Sequence, residues 1–324
     1  MESRQLLFKP PVSSAQLLPH YIVVKPNEIE VKKILDQYPR WLLIKIEQVV
    51  DQSDRTIINS TPLQLAYGAG DVEMCQGLKP YFEQICGGVD AGQKEIHNQL
   101  HEKFEEENKE KNEGNAKQIK NHLASLLALV IQAITIEQFN HGRNEETNQL
   151  ILSEVTLTAI ERFRKKFDES QPKVIDKGMH FRLEILQELY EKYAKIAQQQ
   201  WDYDDKKCAL LEDGVLSYVL RYVPENDAQR FKQGLCYLQD EGEKFSREKK
   251  MRNGRDFRQV LLSSSRDFVL PGSYVDIIWG VGGWKGRTIA PTWAAAALQN
   301  LCRAKTSDLQ SLFSPVSSCP KQNR

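Results

Sequence analysis

Asp54–Phe82, DRTIINSTPLQLAYGAGDVEMCQGLKPYF, is the stretch whose reading decides the fold. Ser60 or Thr61 is placed to cap a helix by accepting an N–H of its first turn. Pro62 follows where a missing N–H costs nothing and φ is already helical. Leu63, Leu65 and Ala66 form an apolar stripe, and Ala66 is small enough to admit a neighbouring helix. Tyr67-Gly68-Ala69-Gly70 then stops the helix, glycine being free to take left-handed dihedrals. Asp71 is set to cap a second helix whose dipole Glu73 complements. Met74, Cys75 and Leu78 give that helix its buried side, and Pro80 is expected to end it. The stretch predicts two short antiparallel helices, near 61–67 and 71–82, joined by a glycine turn.

Upstream, Pro26-Asn27-Glu28-Ile29-Glu30-Val31 predicts a helix over 28–37. Asn27 caps it, two glutamates occupy its first turn, and Val31, Ile34 and Leu35 follow at helical spacing. Pro39 marks its end. Between the two regions, β-branched runs flank Asp51-Gln52-Ser53-Asp54, a hairpin signal at about 44–58. The TPLQLA start followed by a Gly-Asp turn resembles an ankyrin repeat, whose usual period is about 33 residues. Val31 to Cys75 is longer than one repeat, and the excess falls in Leu42–Asn59, so the hairpin is read as an enlarged ankyrin finger. One or two degenerate repeats are too few to stand alone, so the other helices must cap them.

The chain has 324 residues with 44 basic and 44 acidic side chains, and 40% of it is hydrophobic. That is enough apolar material for a core and, as a length prior, about two domains. A neutral balance gives no basic footprint for nucleic acid. No run of about 18 apolar residues exists, so no membrane span is expected. The start, MESRQLLFKPPVSS, lacks the long apolar segment of a secretory signal. Six cysteines, at 75, 86, 208, 236, 302 and 319, are scattered without CxxC spacing and are read mostly as reduced core residues.

The rest of the chain predicts helices near 117–139, 148–168, 180–199, 209–222 and 225–240. Leu123, Leu126, Leu127, Val130, Ile131 and Ile134 make the first of these apolar on more than one side, as inside a bundle. The expected organisation is an ankyrin-like unit over 1–88, a helical connector or bundle over 89–172, a C-terminal helical domain over 173–313 and a disordered tail over 314–324. The fold class is mostly α: degenerate ankyrin-like helix pairs with an enlarged β-hairpin finger, followed by a helical C-terminal domain.

Three later blocks, HFRLEIL at 180–186, YVLRYVPENDAQRFKQGL at 218–235 and LCRAKTS at 301–307, stand with RTIINSTPLQLAYGAGDVEM at the front. Together they resemble a family of ankyrin-type proteins of Legionella- and Coxiella-like intracellular bacteria, classed as actual or candidate Dot/Icm type IV secretion effectors. The resemblance spans roughly residues 20–312. It implies delivery from the bacterial cytoplasm into a host cytosol and a host protein as partner. It implies no catalytic residue.

Other chemistry is thinly signalled. His97, His101 and Glu105 fall on one helical stripe, a spacing that suits zinc, but no HExxH appears and a solvated face is the commoner meaning. Gly280–Arg287, GVGGWKGR, is glycine-rich with two cations, yet lacks the P-loop pattern. Cys236 and His180 form a conceivable thiol–imidazole pair with no oxyanion-hole motif near them. No cofactor, metal or catalytic residue is therefore assigned. The reading is a non-enzymatic interaction module. Its partner-binding residues are Lys45, Glu47, Gln52, Asp54 and Arg55 on the finger, held out at low entropic cost, and Tyr67 as an aromatic anchor. The alternative is an effector enzyme that modifies a host protein through a C-terminal site.

Overall fold

The structure is a computed structural model that describes residues 17–110, 115–137, 152–201, 204–233 and 290–313. These are mostly helical, with one small three-stranded sheet. In chain order the elements are α1 (Glu28–Gln37), β1 (Ile46–Val50), β2 (Thr56–Ser60), α2 (Pro62–Gly68), α3 (Val72–Cys86), α4 (Val89–Glu110), α5 (Asn115–Ile136), α6 (Glu154–Ser170), β3 (Val174–Ile175), α7 (Leu183–Gln199), α8 (Asp205–Leu211), α9 (Ser217–Leu220), α10 (Glu225–Gln233) and α11 (Ala290–Phe313). They fall into two compact units. The first holds the described residues within Met1–Glu105, Val174–His180 and Asp308–Arg324, and the second those within Glu106–Lys173 and Phe181–Ser307.

In the first unit the local signals act as their chemistry dictates. Asn27 Oδ1 accepts the N–H groups of Ile29 at 3.1 Å and Glu30 at 3.2 Å, starting α1. Thr61 makes a reciprocal cap on α2. Its Oγ1 accepts Gln64 N–H at 3.3 Å, while Gln64 Oε1 accepts Thr61 N–H at 2.9 Å. Gly70, at φ +67°, turns the chain, and Asp71 Oδ1 accepts Met74 N–H at 3.0 Å to open α3. Leu35, Leu42, Leu63, Leu65, Ala66, Leu78 and Phe82 form the centre of the core.

Pro80 does not end α3, which continues to Cys86 with the proline inside it. A buried proline would strand the carbonyl one turn back, at a cost of about 3 kcal/mol. Pro80 is exposed, so water can reach the freed acceptor. Continuing the helix also buries Phe82 completely, which returns about 1.5–3 kcal/mol.

The hairpin forms where the β-branched runs predict it. β1 pairs antiparallel with β2, Val49 opposite Ile57 and Val50 opposite Thr56. β3 adds to β2 in parallel, Thr56 opposite Val174 and Ile57 opposite Ile175. Side chains alternate across a sheet. Val49, Ile57 and Ile175 therefore face the core, and Val50, Thr56 and Val174 form a row on the other face.

The second unit has its own core, built mainly by α5, α6, α7 and the segment from Leu210 to Val223. Ser153 caps α6, accepting Thr156 N–H at 3.4 Å, and its own hydroxyl donates to Glu137 at 2.6 Å. The helix expected from 148 thus begins at 154, after the non-helical Leu152 and Ser153, with 148–151 outside the described residues. The helix expected over 180–199 begins at Leu183. That expected over 209–222 is interrupted by a π-helical turn at Glu212–Leu216. There Tyr193 donates its hydroxyl to the buried Glu212 and Ser217 Oγ donates to the Glu212 carbonyl at 2.8 Å. α10 is described as far as Gln233, so the rest of the helix expected to 240 lies outside the described residues. So do the glycine-rich 280–287, Cys236 and the tail from 314.

Candidate interaction surface on the hairpin finger

The finger turns at Asp51–Asp54. Asp51 Oδ1 accepts Ser53 N–H at 2.8 Å and Arg55 N–H at 3.0 Å, an Asx-type turn that folds the tip on its own side chain. Asp54 takes a left-handed φ of +60°, which aspartate tolerates better than a branched residue.

Arg55 is where sequence and structure part. Its expected place was the solvent, yet its side chain is 3% exposed and that of Asp51 9%, and the two are paired at 2.7 Å. Arg55 also donates to the carbonyl of His180. The reason is electrostatic. A guanidinium in a fixed fork satisfies a carboxylate and a carbonyl together, and so ties the finger tip to a segment 125 residues away. His180 completes the tie: its N–H donates to the Gly68 carbonyl at 2.7 Å. Its ring lies so close to Gly68 that a Cβ there would sit 2.5 Å from Nε2. Burial, and then the neighbouring cations Arg55 and Lys103, push this imidazole down to about 3, so it is neutral.

A second fastening holds the base of the finger. Lys103 Nζ donates to the Ile58 carbonyl at 2.9 Å and Ser60 Oγ at 3.0 Å, and it pairs with Asp176 at 3.3 Å. Burial lowers its pKa, and Asp176 opposes that shift. Beside it, Thr61 Oγ1 donates to Gln99 Oε1 at 2.6 Å, and Gln64 Nε2 donates to the Gln99 carbonyl at 2.6 Å. Two of these bonds end on backbone carbonyls, those of Ile58 and Gln99, and so hold backbone in place.

The six predicted residues separate into three sets. Lys45, Glu47 and Asp54 are exposed, Lys45 pairing with Glu102. Gln52 is half-buried, its amide donating to the Val24 carbonyl. Arg55 and Tyr67 are buried, so neither is a surface contact. Tyr67 packs on Phe104 with ring centres 4.5 Å apart, because the face of α2 that carries it is wholly enclosed. Nor do the exposed three form one cluster. Lys45 precedes the five residues of β1 and Asp54 lies past its far end, a span of about 17 Å at 3.4 Å per residue.

Sequence reading missed the row on the other face of β1. Val50 is 48% exposed and Val174 55%, with half-buried Thr56 between. Val50 was visible as a strand residue; Val174 joins it only through the parallel pairing of β3.

Among the described residues no group of three or more His, Cys, Asp and Glu is placed to hold a metal ion. No helix there is long and apolar enough to cross a membrane. No family model matches this chain, nor does any curated protein or solved structure.

Proposed function

We propose that the chain is a non-enzymatic protein–protein interaction module. In this reading α2 and α3 form an ankyrin-like helix pair, and the hairpin is its enlarged finger. One observation carries the reading: the finger is fastened from behind by buried polar groups, Arg55 at its tip and Lys103 at its base. Its outward residues are thereby held at low entropic cost, which favours affinity for a partner. The contact set is the exposed Lys45, Glu47 and Asp54 and, on the other side of β1 from Lys45 and Glu47, the Val50–Thr56–Val174 row. The partner is a host protein, and the chain reaches it as a type IV secretion effector, as the resemblance of its four sequence blocks implies.

The test replaces Lys45, Glu47 and Asp54 together by alanine and Val50 by aspartate. All four are exposed, so the fold should persist, with losses of about 1 kcal/mol at Asp54, from its left-handed φ, and at Val50, from its strand position, and within about 0.5 kcal/mol at the other two, while capture of a host protein by the full chain falls. Capture equal to wild type would remove the finger from the binding face. For delivery, a reporter fusion should enter host cells only from a strain with an intact secretion system; entry from a deficient strain would sink that part.

A further inference from the structure

His97 and His101 lie on α4 one turn apart, both exposed, with ring centres 5.7 Å apart and planes 28° from parallel. Residues at i and i+4 share one face of a helix, so both rings stand over the same strip of solvent. A metal bound through an imidazole nitrogen at about 2.0–2.1 Å lies about 3.2 Å from that ring's centre, so two rings sharing it have centres no more than about 6.4 Å apart. That limit is the collinear case; at the tetrahedral or cis-octahedral angles of such ions the centres lie about 4.5–5.2 Å apart, so the observed 5.7 Å requires the two exposed side chains to close by about 0.5–1 Å.

We propose that His97 and His101 form a two-imidazole chelate for a divalent d-block cation of the nickel, copper or zinc class. Imidazole is a ligand these ions favour, whereas magnesium and calcium prefer oxygen. Among the residues whose side chains are described, none adds a third ligand. Glu102 is one residue off the stripe and pairs with Lys45. Two imidazoles alone hold such an ion exchangeably rather than structurally. The site lies apart from the finger tip and does not depend on the function proposed above.

The experiment is calorimetric titration of nickel chloride into the full chain without an affinity tag. Wild type should show one saturable site. His97→Ala and His101→Ala should each weaken it at least tenfold, since one imidazole cannot chelate. His20→Ala should leave it unchanged. His101→Ala with Glu102→His turns the second imidazole about 100° around the helix and should not restore binding. The His97, His101 and Glu102 variants should melt with wild type without metal, those positions being exposed. Absence of saturable binding at millimolar nickel would overturn the proposal, as would binding that survives either single alanine.

Discussion

Replacing Arg55 by alanine separates a surface contact from a buried fastening. Deleting its guanidinium strands the Asp51 carboxylate and the His180 carbonyl together. Asp51 keeps two backbone N–H donors, but not its counter-charge. Breaking a buried pair by removing one partner costs about 3–5 kcal/mol. Urea unfolding is a blunt probe for a chain of two units, because a single transition is not guaranteed. Hydrogen–deuterium exchange resolved to residues 46–60 is sharper. At 1.4 kcal/mol per tenfold, the loss corresponds to roughly 10²- to 4 × 10³-fold faster exchange in the hairpin. A second variant isolates the charge: Asp51→Asn with Arg55→Ala keeps the turn's acceptor without a stranded anion and should recover at least about 1 kcal/mol. Exchange of Arg55→Ala within threefold of wild type would refute the argument. So would a double variant no better than the single.

Other outcomes follow from the same region. Gly68→Ala should destabilise by about 1–3 kcal/mol through overpacking against His180, although alanine is worth about 1 kcal/mol more than glycine in a helix; a rise in melting temperature would contradict the close approach. Pro80→Ala should stabilise by about 1–3 kcal/mol, restoring a helical hydrogen bond on an exposed face, and a lower urea midpoint would count against that. Acid should weaken the first unit through His180. Its folded pKa of about 3 lies below the usual 6.5, so the unfolded chain binds a proton that the folded one refuses. Stability is therefore full above pH 6.5 and falls toward pH 3 by about 1.4 kcal/mol per pH unit. His180→Gln should lose that slope between pH 6.5 and 5, and an unchanged slope would exclude His180 as its source.

What the sequence revealed of this architecture was what short range controls. Asn27, Thr61 and Asp71 cap helices because each acts on an N–H two or three residues away, and such pairs can be read by eye. Pro80 misled for the same reason: a local breaker was read without Phe82, whose burial two residues on outweighs it. Arg55 looked like a surface cation because nothing near it in sequence names His180 as its acceptor. Lys103 sat in a strongly polar stretch that reads as solvated, yet its ammonium is committed to Ile58, Ser60 and Asp176. The hairpin itself was legible. Which of its faces is spare was not, since that depends on a two-residue strand from beyond residue 170.

That short parallel strand sets a timetable. β2 meets β3 across more than a hundred residues, and Gly68 meets His180 across a similar gap. At a synthesis rate of about 5–20 residues per second, the ribosome needs roughly 4–15 s after Lys103 to make His180. Throughout that interval the emerging hairpin has an open strand edge, and the groups that later seal it do not yet exist. Open edges invite pairing with other chains. A fragment cut at Glu105 would be frozen at this stage, an assembly intermediate rather than a minimal version of the first unit.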